Sequence, residues 1–282
     1  MVPDKDTNFV YLSSILKNDP RYSDVCARLK RILHDNSVDF GFLDQTKDIW
    51  ARDYMPQQVD TKTFIRFRYE PSYLRYNPEL QTDPEVVCKI NKIKSRPCGI
   101  NLDGGNVVKW YDKALISRRV ISENHPYDEA LLLKELESVL NTRIILVPDL
   151  KPSTDFTGHA DGYVRFYNGN TVLVNDLEKE YKYWTDGFRN VMKKAGLNYI
   201  EIPWFEYNEK GYPDSAVGIY INFLEVGDLI ILPVFETRNN KDIEVFDLFQ
   251  KLYPQKKIRT LNINPVAREG GLLNCMTWNI KK

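Results

Sequence analysis

Apolar residues recur at helical spacing in five stretches of this chain. In RYSDVCARLKRIL, Val25, Leu29, Ile32 and Leu33 fall on one face, as a period of about 3.6 residues requires. The same period runs less cleanly through DPEVVCKINKI. It returns in PYDEALLLKELESVL through Leu132, Leu136, Val139 and Leu140, and in WTDGFRNVMKKAG through Trp184, Phe188, Val191, Met192 and Ala195. The last instance is KDIEVFDLFQKLY, through Ile243, Phe246, Phe249 and Leu252. Gly196 is placed to end the fourth helix, because glycine enters the left-handed conformation that closes many helices.

A short strand-like run follows each helix: VDFGFLD, CGINLD, RIILVP, NYIEIP and KIRTLNI. TFIRFRY, KALISRR, NTVLVND and DLIILPV predict further strands between the units. A helix-then-strand unit recurring five times, at a spacing of about fifty residues, predicts an internally repeated α/β architecture. No low-complexity tract or Gly/Ser linker marks a boundary, so residues 1–282 read as a single closed domain.

Charge and cysteine usage narrow the function. Lys+Arg and Asp+Glu number 39 each, so there is no basic excess to hold nucleic acid or an anionic membrane. The basic runs KIKSR and LYPQKKIR are short and alternate with apolar residues, which reads as solvated helix ends. The N-terminus carries acidic residues where an export signal has basic ones, and no apolar run reaches membrane-spanning length. Cys26, Cys88, Cys98 and Cys275 form no CxxC pair. Zinc-ribbon and redox-motif readings therefore fail, and reduced thiols in the cytoplasm are expected.

Each unit is followed by a polar segment at a similar phase. Asp53 lies in DIWARDYMP, Asp103 in LDGGN, and His159 and Asp161 in GHADGYVRF. Asn222 lies in IYINF and Cys275 in EGGLLNCMTW. In a pseudo-symmetric ring such positions converge on the axis. A lone cysteine is more often inert packing than a nucleophile. Cys275, however, follows a Gly-Gly pair that lets backbone approach a ligand, and His159 is the best partner to handle its proton. His34 follows a helix and His125 precedes a proline, so both read as surface residues. Taken singly, Asp before Gly-Gly is a common turn and Arg-Asp a common ion pair. Gathered together, the three carboxylates need a cation. A metal is one choice, but no second histidine motif completes a transition-metal set. An organic cation suits the residues better, and a guanidinium pairs bidentately with carboxylates.

The ordered set WARDYMP, LDGGN, GHADGYVRF, YINF, LPVF and EGGLLNC, from about residue 38 to residue 278, resembles the agmatine deiminase and bacterial peptidylarginine deiminase family of the guanidino-group-modifying superfamily. The resemblance implies a five-bladed α/β propeller of ββαβ units, the pentein type. It implies a hydrolase that converts a guanidino compound, agmatine first among them, to a ureido product and ammonia. By position, Cys275 would be the nucleophile and His159 the general acid and base. Asp53 and Asp161 would grip the guanidinium, with Trp50 along the alkyl chain and Asn222 in the pocket wall. Asp103 stands where many members have Glu, the residue that orients the histidine or contacts substrate. Arg52 and Arg165 would brace the site. The resemblance implies no metal or organic cofactor and allows a homodimer. An amidinotransferase sharing the thiouronium intermediate, a guanidino-binding pseudoenzyme and a metal-dependent hydrolase built on His159 and Asp161 are the competing readings.

Overall fold

The computed structural model describes residues 1–150 and 155–282. Helices form where the apolar period predicts them: Ser23–Asp35, Pro84–Ile90, Glu129–Leu140, Lys182–Ala195 and Asp242–Leu252. Local chemistry sets their ends. The Asp83 carboxylate accepts the N–H groups of Glu85 and Val86, and that of Asp128 accepts the N–H of Leu131. Both satisfy donors that a helix start leaves without partners. Gly196 caps the fourth helix at φ 68°, as expected.

The predicted inner faces hold for most of these helices. Val25, Leu29 and Leu33 are buried, as are Leu132, Leu136 and Leu140, and Trp184, Phe188 and Met192. Ile32, Val139, Val191, Ala195, Phe246 and Leu252 pack partly buried at the margins. Ile243 departs from expectation at 77% exposed. Val245 and Phe249 set the buried face of that helix, and Ile243, in its first turn, lies about 160° around the axis from Val245.

Among the described residues, five three-stranded sheets accompany the helices. In each, the strand before the helix pairs parallel with the strand after it: Phe9–Ser13 with Asp39–Leu43, Phe64–Arg68 with Arg96–Asn101, and Lys113–Ser117 with Arg143–Val147. Thr171–Asn175 with Asn198–Ile202 and Leu229–Val234 with Lys257–Asn262 complete the series. A parallel pair needs such a crossover, and the helix supplies it. The third strand of each sheet runs antiparallel on the other side of the central one. These strands are Thr277–Ile280, Gln57–Gln58, Val107–Lys109, Val164–Asn168 and Leu224–Val226. The apolar pattern does not predict them, and Gln57–Gln58, Val107–Lys109 and Leu224–Val226, at two or three residues, show too few alternations to register.

The first sheet takes its antiparallel strand from the C-terminus, with Phe9 opposite Ile280 and Leu12 opposite Thr277. That pairing returns the last residues to the first unit. Asp53, Asp103, His159, Asp161, Asn222 and Cys275 all lie in connections leading from one unit's last strand to the next antiparallel strand. The repeat therefore delivers each polar segment at the same point of its unit.

Candidate active site

His159 opens a short helical turn, Ala160–Gly162, and is 6% exposed. The carbonyl of Gly158, just before it, accepts a hydrogen bond from Ser117 Oγ at 2.6 Å. Gly158 has φ +67°, and a Cβ there would meet the Arg119 guanidinium at 2.8 Å, so the approach to the histidine needs glycine. The imidazole lies between two carboxylates. Nε2 is 2.7 Å from Asp103 Oδ2, and Nδ1 is 3.6 Å from Asp53 Oδ1. The aspartate at 103 thus reaches the histidine without the extra methylene of Glu. Asp53 Oδ1 also accepts the Gly105 N–H at 3.1 Å. A Cβ on Gly105 would sit 2.6 Å from both Asp53 Oδ1 and His159 Nδ1. The second glycine of LDGGN leaves no room for a side chain between Asp53 and His159.

Cys275 is partly buried and its thiol is free. Asn222 holds it: Oδ1 accepts the backbone N–H of Asn274 at 3.0 Å and of Cys275 at 3.3 Å, and lies 3.4 Å from Sγ. The other end of Asn222 donates to the Asp161 carbonyl at 3.2 Å. Expected in the pocket wall, Asn222 is 2% exposed, with both polar ends engaged in tying the cysteine segment to the aspartate segment. Asp161 Oδ2 accepts from Asn274 Nδ2 at 2.6 Å and lies 3.9 Å from Cys275 Sγ. Its second oxygen, Oδ1, is buried with no hydrogen-bond partner. Trp50 is partly buried, and its ring lies so close over Gly271 that a Cβ there would be 2.3 Å from Cζ3. Gly271 therefore has to be glycine for the indole to keep this place.

Arg52 and Arg165, expected to be structural braces, are both buried and hydrogen-bonded. Arg52 donates to Asn274 O at 3.2 Å and to Asn274 Oδ1 at 2.9 Å, and also bonds Asn279 Oδ1. Arg165 donates to Phe223 O at 2.6 Å and to Asp4 Oδ2 at 2.8 Å. Lys109 approaches the same Asp4 at 3.4 Å. Burial opposes the charge on Asp4, but Lys109, Arg52 and Arg165 outweigh it and hold the carboxyl below its ordinary range.

Three neighbours escaped sequence reasoning. Tyr73 donates its hydroxyl to Asp103 Oδ2 at 2.9 Å, and its ring stands edge-on to His159 with centroids 5.9 Å apart. Asp48 accepts the Trp50 N–H at 2.8 Å. Asn274 touches both Asp161 and Arg52. Asn274 was findable as the neighbour of the candidate nucleophile, and Asp48 as the second acidic position in DIWARD. Nothing around Tyr73 in the sequence distinguishes it.

The electrostatics follow from burial and crowding. Burial opposes the charged imidazole, but Asp53, Asp103 and Asp161 overcome it and raise His159 to about 10. The histidine is an imidazolium at neutral pH. Burial pushes Asp53 well above the usual carboxylate range, only partly relieved by His159, and Asp161 is raised for the same reason. Asp48 is raised to about 7 by burial, with Asp103 adding to it against the Trp50 N–H. Burial, then Asp161 and Asp53, push the Cys275 thiol well above its ordinary value. With nothing bound, sulfur keeps its proton. Among the described residues, no group of three or more His, Cys, Asp or Glu is disposed to hold a metal ion.

A repeated ββαβ scaffold brings a cysteine, a histidine and several carboxylates into one buried cluster. The chain belongs to the Porphyromonas-type peptidyl-arginine deiminase family, whose model matches residues 14–280. The fold is shared with C. jejuni agmatine deiminase, at TM-score 0.79 and 19% identity over 100% of this chain and 95% of that one. It is shared also with Enterococcus faecalis agmatine deiminase, at TM-score 0.75 and 15% identity over 99% and 94% of the two chains. A Listeria monocytogenes relative, provisionally named as an agmatine deiminase, is 30% identical over 67 residues. That stretch is 24% of this chain and 18% of the relative's length.

Proposed function

We propose that this chain is a cysteine-dependent guanidine deiminase, hydrolysing a small cationic guanidino compound to a ureido product and ammonia. Agmatine is the preferred candidate, giving N-carbamoylputrescine. One observation carries the reading: a thiol lies 3.9 Å from a buried carboxylate whose second oxygen has no partner. A guanidinium seated on Asp161 and Asp53 satisfies that oxygen with its planar N–H fork. It also reverses the electrostatics at sulfur. The carboxylates keep Cys275 protonated, and a bound cation offsets them, so substrate uptake expels the thiol proton to solvent.

The thiolate then attacks the central guanidinium carbon, held near it by the carboxylates. His159, already an imidazolium, protonates the departing nitrogen, and ammonia leaves as the C–N bond breaks. The product is a thiouronium joined to Sγ and a neutral imidazole. His159 next takes a proton from water as that water adds to the same carbon. Collapse of the adduct breaks the C–S bond, its hydroxyl proton passes to solvent, where it protonates the released ammonia, and the neutral ureido product departs from a regenerated thiolate and imidazolium. The scheme uses no metal or organic cofactor.

We also read the units as blades of a five-bladed α/β propeller forming one domain. Support comes from five sheets of one topology and from completion of the first sheet by the C-terminal strand. Four free thiols support a reducing, cytoplasmic setting, and the family resemblance supports a homodimer, which light scattering tests. The deciding experiment measures ureido product and ammonia from agmatine, free arginine and a short arginine peptide, beside Cys275→Ala. Turnover of one substrate that is lost in the variant is the expected result. Turnover of none by folded wild-type protein overturns the reading.

A further inference from the structure

We propose that Tyr73 is a positioning residue for His159: its phenol shares Asp103 Oδ2 with the imidazole and so holds carboxylate and histidine in one orientation. The inference rests on the deiminase reading only for the part His159 plays in the chemistry.

Two donors meet at one oxygen. Tyr73 Oη is 2.9 Å and His159 Nε2 2.7 Å from Asp103 Oδ2. Asp103 heads the turn Gly104–Asn106 without a capping bond from its own side chain, so the backbone does not tie down the carboxylate. Tyr73 supplies that restraint from a different connection. A phenol is suited to it, because burial and the adjacent Asp103 raise its titration well above the ordinary value and keep it a donor.

The connection that carries Tyr73 is clamped on both sides. Asn101, two residues before Asp103, accepts the Glu70 N–H through Oδ1 and donates to the Glu70 carbonyl through Nδ2, each at 2.8 Å. Ser72 donates its N–H and its hydroxyl to the Glu123 carboxylate, at 3.0 and 2.5 Å. Farther along, Gln81 donates back to the Tyr69 carbonyl at 2.8 Å. Tyr73 and Asp103 therefore extend from the ends of two paired strands, in which Arg68 opposes Asn101. A hydroxyl presented on so fixed a frame can set the angle of a carboxylate.

His159 is faced by Asp103 at Nε2, by Asp53 at Nδ1 and by Asp161 and the Tyr73 ring. Asp48 is close enough to Asp103 for the two carboxyls to interact electrostatically. Removing only the Tyr73 hydroxyl leaves every one of these charges in place. It withdraws the competing donor from Oδ2, so the imidazolium takes that oxygen alone and binds its proton more tightly. It also frees the carboxylate to swing, which slows proton delivery to the leaving nitrogen without touching the guanidinium-binding carboxylates.

The test compares wild type with Tyr73→Phe and Tyr73→Leu. Turnover of the active guanidino substrate is followed against pH. The His159 imidazole is titrated by NMR on isotope-labelled protein, tractable because the chain has three histidines. In Tyr73→Phe, kcat is expected to fall about tenfold with KM within about twofold, and the His159 midpoint to rise by roughly one pH unit. A Tyr73→Phe protein that turns over and titrates like wild type, with losses only in Tyr73→Leu, reduces the residue to packing and overturns the proposal. If wild type turns over no guanidino compound, the deiminase reading fails. The His159 titration in Tyr73→Phe still decides the positioning contact, an unmoved midpoint refuting it.

Discussion

Replacing His159 by Asn tests the electrostatics of the site through the stability of the whole fold. Burial disfavours the charged imidazole, yet Asp53, Asp103 and Asp161 raise it from 6.5 to about 10. A base whose folded pKa is raised stabilises the fold fully below its unfolded pKa, and loses that contribution as pH climbs through the folded value. At about 1.4 kcal/mol per pH unit, the interval from 6.5 to about 10 corresponds to about 5 kcal/mol. The carboxylates left in the variant recover part of this by taking up protons themselves, as raised carboxyls do. The assay is urea unfolding of wild type and His159→Asn at several pH values between 6 and 10. Near pH 6 wild type is expected to be more stable by about 3–5 kcal/mol, and the gap should close progressively toward pH 10. Groups remote from His159 that titrate in this range act on both proteins and cancel in the difference. A gap that stays constant, or widens with pH, refutes an imidazolium held between carboxylates.

Two further substitutions probe the same site. Asp53→Asn removes a carboxylate whose raised pKa makes its charge a cost to the fold at neutral pH, because an acid raised by burial loses stability as pH climbs past its unfolded value. The variant's kcat/KM is expected to fall by about 10²–10⁴ and its His159 midpoint to drop, because Asp53 is the largest charge raising it, and an unmoved midpoint refutes the reasoning. Gly271→Ala forces a methyl to within 2.3 Å of the Trp50 ring. Displacing the indole should raise KM about tenfold and cost about 1–3 kcal/mol, and unchanged kinetics would show that the ring does not face the substrate.

Much of the scaffold could be read along the chain because its helices are long enough to show a period. Trp184, Phe188 and Met192 repeat at helical spacing, and all three are buried. The exception is instructive: Ile243 fits the period from Phe246 and Phe249 backwards, yet it points to solvent. Periodicity fixes which residues share a face but not where the face stops. Two-residue strands such as Gln57–Gln58 exist only because a neighbouring strand offers hydrogen bonds, so no local pattern announces them. The polar candidates were legible as residue types at a recurring phase. Which of them touch one another was not. Asn222 is distant in sequence from both Asp161 and Cys275, and only the fold makes it the tie between them.

The sequence by itself determined the repeat, the helices, the family and the identity of a cysteine, a histidine and three carboxylates as the residues of interest. Hydrophobic period and residue chemistry are local properties, so the chain carries them openly. The tertiary structure alone decided that Asp103 reaches His159, that Tyr73 shares its oxygen, and that one oxygen of Asp161 is buried without a partner. It also decided the protonation of the site. A histidine raised to about 10 and a thiol raised above its usual value arise from charges and burial supplied by separate units. Electrostatic interactions depend on distance in space, and that distance exists only once the chain has folded.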